Sequence, residues 1–194
     1  MTKAQTVNFK TPKGMIKWPR LDQPYSWSDN LSKNVPDPNG QFETKLVVSK
    51  KEAQPLIQLI QTAIKESGIK PKNLPYKDEL DKDTGEASGN VEFTFKRYGL
   101  DTQGNPNKIA YFDARGTMIR AVNLTTGSTA IVAGWIKVSK MAARLNLKAI
   151  QVIKLLERSE GFDPVDDEDA FIAEAQEANT FDDQEETDSG RPNF

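Results

Sequence analysis

The charge on this chain changes sign at one place. Up to Arg158 there are 25 Lys and Arg against 15 Asp and Glu, a net of +10; from Ser159 onward there are 13 Asp and Glu and one Arg, a net of −12. A segment that acidic cannot bury enough apolar surface to offset the entropy lost on ordering it. The fold must therefore come from what precedes it. Residues 1–14 read as a polar, flexible N-terminus, 15–160 as one domain, and 161–194 as an acidic, largely disordered tail. Within the tail, residues 166–177 are compatible with a short helix carrying acids at its favourable end. A basic body attracts polyanions through counterion release. A tethered acidic segment occupies the same surface at high effective concentration when no polyanion is there. Solubility is the simpler purpose of such a tail, but Phe181 and Phe194 do not serve it.

Two absences narrow the chemistry. The chain has no Cys and no His. That excludes a disulfide framework, a Cys/His zinc site, a thiol nucleophile, a Ser-His-Asp triad and imidazole acid–base catalysis. No phosphate-cradling Walker loop and no GxGxxG run occurs, and no cofactor is expected. The first residues lack the apolar core of a signal peptide, and no stretch of 18 apolar residues occurs, so neither secretion nor a membrane is expected. The expected compartment is the cytoplasm. The glycosylation patterns at Asn30 and Asn123 then have no meaning.

The alternation of apolar and polar residues predicts mostly strands. Residues 15–21 form a short strand with Ile16 and Trp18 on one face and Lys17 on the other. Residues 23–40, rich in Pro, Asn and Asp, read as a polar loop holding Tyr25 and Trp27 and closing on a turn. Phe42, Thr44, Leu46 and Val48 alternate with Glu43 and Lys45 in a half-buried strand. One long helix follows, with Leu56, Ile57, Leu59, Ile60, Ala63 and Ile64 at helical spacing between a Ser49 cap and a Gly68 stop. Pro55 lies near its start, where a missing N–H costs little. Strand patterns resume at Val91–Phe93–Phe95, at 108–113, at 128–138 and at 145–155, the last also being compatible with a helix. Five or six strands with one intervening helix point to a small barrel.

The carboxylates Asp78, Glu79, Asp81, Asp83 and Glu86 do not make a calcium loop, because the required Gly comes one place late and Asn90 stands where a Glu is needed. A two-metal nuclease site would need carboxylates from separate elements. A solvated hairpin turning at residues 83–85 accounts for them. More informative are aromatics beside cations, since single-strand binders stack bases on rings set among cations that follow the phosphates. The candidates are Lys17, Trp18 and Arg20; Tyr25 and Trp27; Lys45; Phe93, Phe95, Lys96, Arg97 and Tyr98; Tyr111 and Arg115; and Trp135. For Trp18, Trp135, Phe93 and Phe95 core packing competes with stacking. Tyr25, Trp27 and Tyr98 occupy polar surroundings that favour stacking. Two other classes compete: an acidic DNA mimic or adaptor that touches only proteins, and a metal-dependent nuclease using residues 78–86.

The order of Trp18-Pro19, of Val47-Val48-Ser49-Lys50-Lys51 before a helix, of an aromatic strand ending in Tyr98-Gly99, of Gly127 and Val132-Ala133-Gly134-Trp135, and of residues 145–152 (LNLKAIQV) resembles the single-stranded DNA-binding proteins of tailed bacteriophages. The likeness spans about residues 12–157 and extends to the character of the tail. It implies an OB-fold whose concave, aromatic-lined face takes single-stranded DNA without reading its sequence, in replication and recombination, without catalysis. It also implies a tail that competes with DNA and docks a polymerase, helicase or nuclease. That role would fall on Asp182, Asp183, Glu185, Glu186, Asp188 and Phe194. Here Arg191-Pro192-Asn193 separates the acids from Phe194, a departure from the simplest pattern of the family.

Overall fold

The computed structural model describes residues 6–81 and 84–156. The tail positions named above, from Asp182 to Phe194, lie outside them. Among the described residues ten strands and one helix occur in the order β1 (Val7–Lys10), β2 (Gly14–Ser28), β3 (Lys33–Pro36), β4 (Gln41–Ser49), α1 (Lys50–Ser67), β5 (Tyr76–Leu80), β6 (Ala87–Tyr98), β7 (Ala110–Phe112), β8 (Met118–Ile119), β9 (Thr129–Val138) and β10 (Ala143–Lys154).

Period-two alternation builds the barrel. Phe42, Thr44, Leu46 and Val48 of β4 point inward and register with Arg97, Phe95, Phe93 and Val91 of β6. Strands β2, β4, β6, β10 and β9 follow one another, and β9 pairs with both β2 and β10, which closes a ring of five. All ring pairs are antiparallel except β6–β10. The fold is mainly β, an OB-type five-stranded barrel with one intervening helix. Around it, β1 extends β9, β3 extends β2, β5 extends β6, and the β7–β8 hairpin extends β10. The centre holds Ile16, Leu46, Phe93, Phe95, Val132, Leu145, Leu147 and Ile150, all essentially without solvent contact. Phe9, Phe95 and Phe93 form a run of tilted ring contacts at 5.7 and 6.5 Å, the geometry that aromatic quadrupoles favour.

Helix α1 begins where Ser49 accepts the Glu52 N–H at 3.4 Å and gives its own hydroxyl to the Glu52 carboxylate at 2.7 Å. It stops at Gly68, whose φ of +65° is the left-handed cap that favours glycine. Ala53, Leu56, Ile60 and Ala63 form its buried stripe against β1, β4, β6 and β9. Among the described residues no helix is long and apolar enough to cross a membrane.

Several local expectations are corrected. Residues 7–10, expected to be loose, form β1, because a row of antiparallel partners from Ile136 to Ala133 is available to them. The expected polar loop after Leu21 is strand as far as Ser28 and turns back as β3, so Tyr25 and Trp27 sit on a hairpin. In β10 the pattern breaks at Lys148, an extra residue between the pairs Leu147–Gly134 and Ala149–Ala133. Strict alternation from Leu145 and Leu147 would bury Ala149; beyond the bulge Ile150 is buried instead.

Candidate nucleic-acid interface

Phe93, Phe95 and Tyr111 are corrected from candidate base platforms to core. Both phenylalanines are fully buried, as the alternation that pairs them with Leu46 and Thr44 requires. The Tyr111 hydroxyl donates to the Leu21 carbonyl at 3.4 Å. Burial, helped by the Asp22 charge, pushes its phenol up to about 12. Trp18 goes the other way. Its φ of +49°, next to a register shift between Lys17 and Arg20, turns the ring out of the Ile16 face and leaves it 59% exposed.

On the outer face of β2, β4 and β6 the predicted cations are present but engaged. Lys17 bonds to Glu79, and Lys45 reaches Glu92 at 2.9 Å. Glu43 accepts from Arg20 at 3.1 Å and from Lys96 at 2.9 Å. Burial raises the Glu79 carboxyl, but hydrogen bonds from Lys17, Asn90 and Ser88 and the Lys17 charge outweigh it and hold the pKa below the ordinary value. Alongside this ladder Tyr25 and Trp27 line a groove of about 310 Å³ with Arg20, Asn34, Gln41 and Lys96. Trp27 is 58% exposed there.

Around the barrel the state of the cations changes. Tyr25, Gln41 and Tyr98 form one cross-strand row, and Tyr98 opens onto a trough of about 710 Å³ across β6, β10 and β9. The Arg97 guanidinium lies 5.5 Å from the centre of the Trp135 ring, and that of Arg144 lies 5.7 Å from the centre of Tyr98. Both are within cation–π range. Arg144 also donates to the Tyr98 hydroxyl at 2.6 Å. Arg97 donates to the Leu147 carbonyl at 3.1 Å and to Asn107 Oδ1 at 2.6 Å, while its buried Nε has no partner. Burial lowers its pKa, although guanidinium stays protonated. Among the described residues no carboxylate pairs with Arg97, Arg144 or Lys137 of this trough. Asp101, on its rim, spends its carboxylate on its own turn, accepting from Asn105 N at 2.9 Å and Gln103 N at 2.8 Å, and these bonds hold its pKa down.

Of the predicted residues, Arg97, Tyr98 and Trp135 meet in this trough, and Arg20, Tyr25, Trp27 and Lys96 meet in the adjoining groove. Trp18 and Arg115 line neither. Lys137, Arg144, Asn107 and Asn146 are additional members. Lys137 was legible from its alternation with Ile136 and Val138; Arg144 lay one residue before the expected strand, and Asn107 in an expected turn. The hairpin carboxylates are used locally, Asp78 by Lys50, Glu79 by Lys17, and Asp81 by the Thr84 N–H. Among the described residues no group of three or more suits a metal ion.

No protein-family model and no curated protein matches the sequence. Solved structures do match. Gp2.5, a single-stranded DNA-binding protein encoded by bacteriophage T7, superimposes with a TM-score of 0.58 at 15% identity, covering 81% of this chain and 98% of its own. The single-stranded DNA-binding protein of bacteriophage Enc34 matches as a C-terminal truncation (TM-score 0.55, 16% identity, 77% of this chain and 87% of that one) and in complex with single-stranded DNA (0.53, 16%, 78% and 89%). The fold is that of these phage proteins. The likeness read from the sequence motifs and the likeness of the barrels point to the same group.

Proposed function

We propose that the chain is a sequence-independent single-stranded DNA-binding protein acting in phage DNA replication and recombination. One observation carries the reading. Arg97 is a partly desolvated cation with no counter-ion among the described residues, laid on Trp135 in a trough whose other wall is Arg144 on Tyr98. An uncompensated cation held away from water gains most from an anion, and an adjacent ring supplies a surface on which any base can stack. Nothing in that pairing reads base edges, so binding is general. The T7 and Enc34 proteins, both of which bind single-stranded DNA, support the reading, the latter having been solved with single-stranded DNA. The role is binding without catalysis: coating exposed strands and melting hairpins by mass action. The acidic segment 161–194 competes with DNA for the basic face, and Phe194 and the acids from Asp182 to Asp188 recruit a replication or recombination enzyme.

Titration of the full chain with oligo-dT, followed by tryptophan fluorescence at several salt concentrations, tests the reading. The expected result is quenching on the single strand, much weaker binding to duplex, and a log–log salt slope of about 0.7 per phosphate neutralised. Replacing Asp182, Asp183, Glu185, Glu186 and Asp188 by their amides should tighten binding if the tail competes. No binding by either protein at low salt would leave an adaptor that touches only proteins.

A further inference from the structure

The outer face of the β9–β10 ribbon continues past Trp135. Cross-strand pairs run from Lys137–Arg144 through Trp135–Asn146 and Ala133–Ala149 to Ile131–Gln151. Between the second and third pairs sits the bulged residue Lys148, exposed next to the buried Leu147. A bulge leaves its extra residue outside the ladder and re-aims the side chain; here it brings an ammonium group to solvent midway along the ribbon. Beyond it Ile131, Ala133, Ala149 and Gln151 floor a second trough of about 480 Å³, with Lys10 on one rim and Phe112 and Arg115 on the other.

This second trough is held firmly. Lys10 is fixed by the pairing of β1, opposite Ala133. The β7–β8 hairpin that carries Arg115 is tied to β10 by Gln151, whose amide donates to the Asp113 and Ala114 carbonyls at 3.2 Å each. Asp113, on that hairpin, is turned to the hairpin backbone and accepts from Arg115 N at 2.9 Å and Thr117 N at 2.8 Å. No carboxylate lines the trough among the described residues.

We propose that this trough is a second subsite on the same nucleic-acid path, with Lys148, Lys10 and Arg115 receiving phosphates and Phe112 and Ile131 receiving a base. The proposal rests on the single-strand reading above and adds where the strand goes. Three observations select that occupant. The trough follows the Arg97–Trp135 trough along one strand pair, its Ala133–Ala149 pair coming next after the bulge from the Trp135–Asn146 pair of the first. Cations recur along the whole ribbon, from Lys137 to Lys10 and Arg115. From Lys137 to Ile131 is six residues, about 20 Å of strand, a length suited to several nucleotides rather than to one small anion. The path therefore leaves the outer faces of β2 and β4, where the cations already have glutamates.

The experiment compares the full chain with its Lys10→Gln/Arg115→Gln/Lys148→Gln variant. Labelled dT oligomers of about six and about fifteen nucleotides, within the range of site sizes for this fold, are titrated over a range of salt. The short oligomer, satisfied by the first trough, should bind both proteins alike. The long one should bind the variant on the order of tenfold more weakly at low salt, with the salt slope smaller by about 2, at about 0.7 per lost contact. Equal affinities and slopes for the long oligomer overturn the proposal. So does equal weakening of both lengths, which would mean a general field and not a subsite. A change in sedimentation with DNA binding unaltered would make the trough a contact between copies of the chain. If the wild-type protein binds neither oligomer, it is the single-strand reading that falls. Should the triple variant melt early, Lys148→Gln alone, which changes one exposed group, is expected to lower the long-oligomer slope by about 0.7, and an unchanged slope counts against the subsite.

Discussion

On the outer face of β2, β4 and β6, Lys17, Arg20, Lys45 and Lys96 each stand against a glutamate. Further round the ring, in the trough across β6, β10 and β9, Arg97 and Arg144 stand against aromatic rings and have no carboxylate partner among the described residues. The two faces carry the same residue types, but their charge is available to different degrees. An ion pair has already spent most of its field locally, and a phosphate that displaces the glutamate recovers little. A guanidinium on a ring keeps its field and presents a hydrophobic plane beside it. The basic excess of the first 158 residues is thus an average over a neutralised face and an available one.

The largest effect should come from the residues that hold both faces apart. Phe95→Ala, emptying a fully buried site between Phe9 and Phe93, should cost about 3–5 kcal/mol of stability by denaturant titration. Tyr98→Ala, three positions along the same strand and half exposed, should cost little stability and should weaken DNA binding. If the two behaved alike, the division of β6 into a core and a binding half would be wrong.

Next in size are changes in the available cations. Arg97→Gln or Trp135→Ala should each weaken oligo-dT binding by about 1–3 kcal/mol, roughly fivefold to somewhat over a hundredfold. Lys45→Gln should change it by less than about threefold, since its charge is already matched by Glu92. An equal loss from Lys45→Gln and Arg97→Gln in the same titration would erase the distinction between the faces.

The paired face should show itself in pH dependence instead. Glu79 has a folded-state pKa below its ordinary 4.5. The charged form is therefore favoured by folding: its contribution is present above about pH 4.5 and is lost as pH falls through the lower folded value. Unfolding midpoints measured from pH 6 downward should decline in that acid range, and Glu79→Gln should flatten the decline.

The smallest expected effect has the opposite sign. Glu43→Gln releases Arg20 and Lys96 together and should tighten oligo-dT binding at low salt by a few tenths of a kcal/mol to about 1. The gain should vanish at high salt. A weaker complex would mean that Glu43 positions the two cations rather than neutralising them.

Much of the barrel was legible because period-two burial is written in the chain. Phe42 to Val48, Val91 to Phe95 and Ala130 to Ile136 each alternate, and α1 is bracketed by Ser49 and Gly68, whose capping chemistry is local. What failed was non-local or depended on a single backbone angle. Short strand β1 exists because β9 offers it a partner. Trp18 leaves the core through one positive φ. Lys148 shifts the inward face of β10 by one residue.

The sequence by itself determined the sign and division of charge, the strand periods, the long helix after Ser49 and the absence of His and Cys chemistry, because each of these depends only on residue identity and short spacing. Only the tertiary structure decided which cations meet a glutamate and which meet a ring. Glu43 and Lys96, or Arg97 and Trp135, lie dozens of residues apart, and the register of the closed sheet sets their distance. The reason is geometric: alternation says which face a side chain takes, and the pairing of strands says what stands beside it.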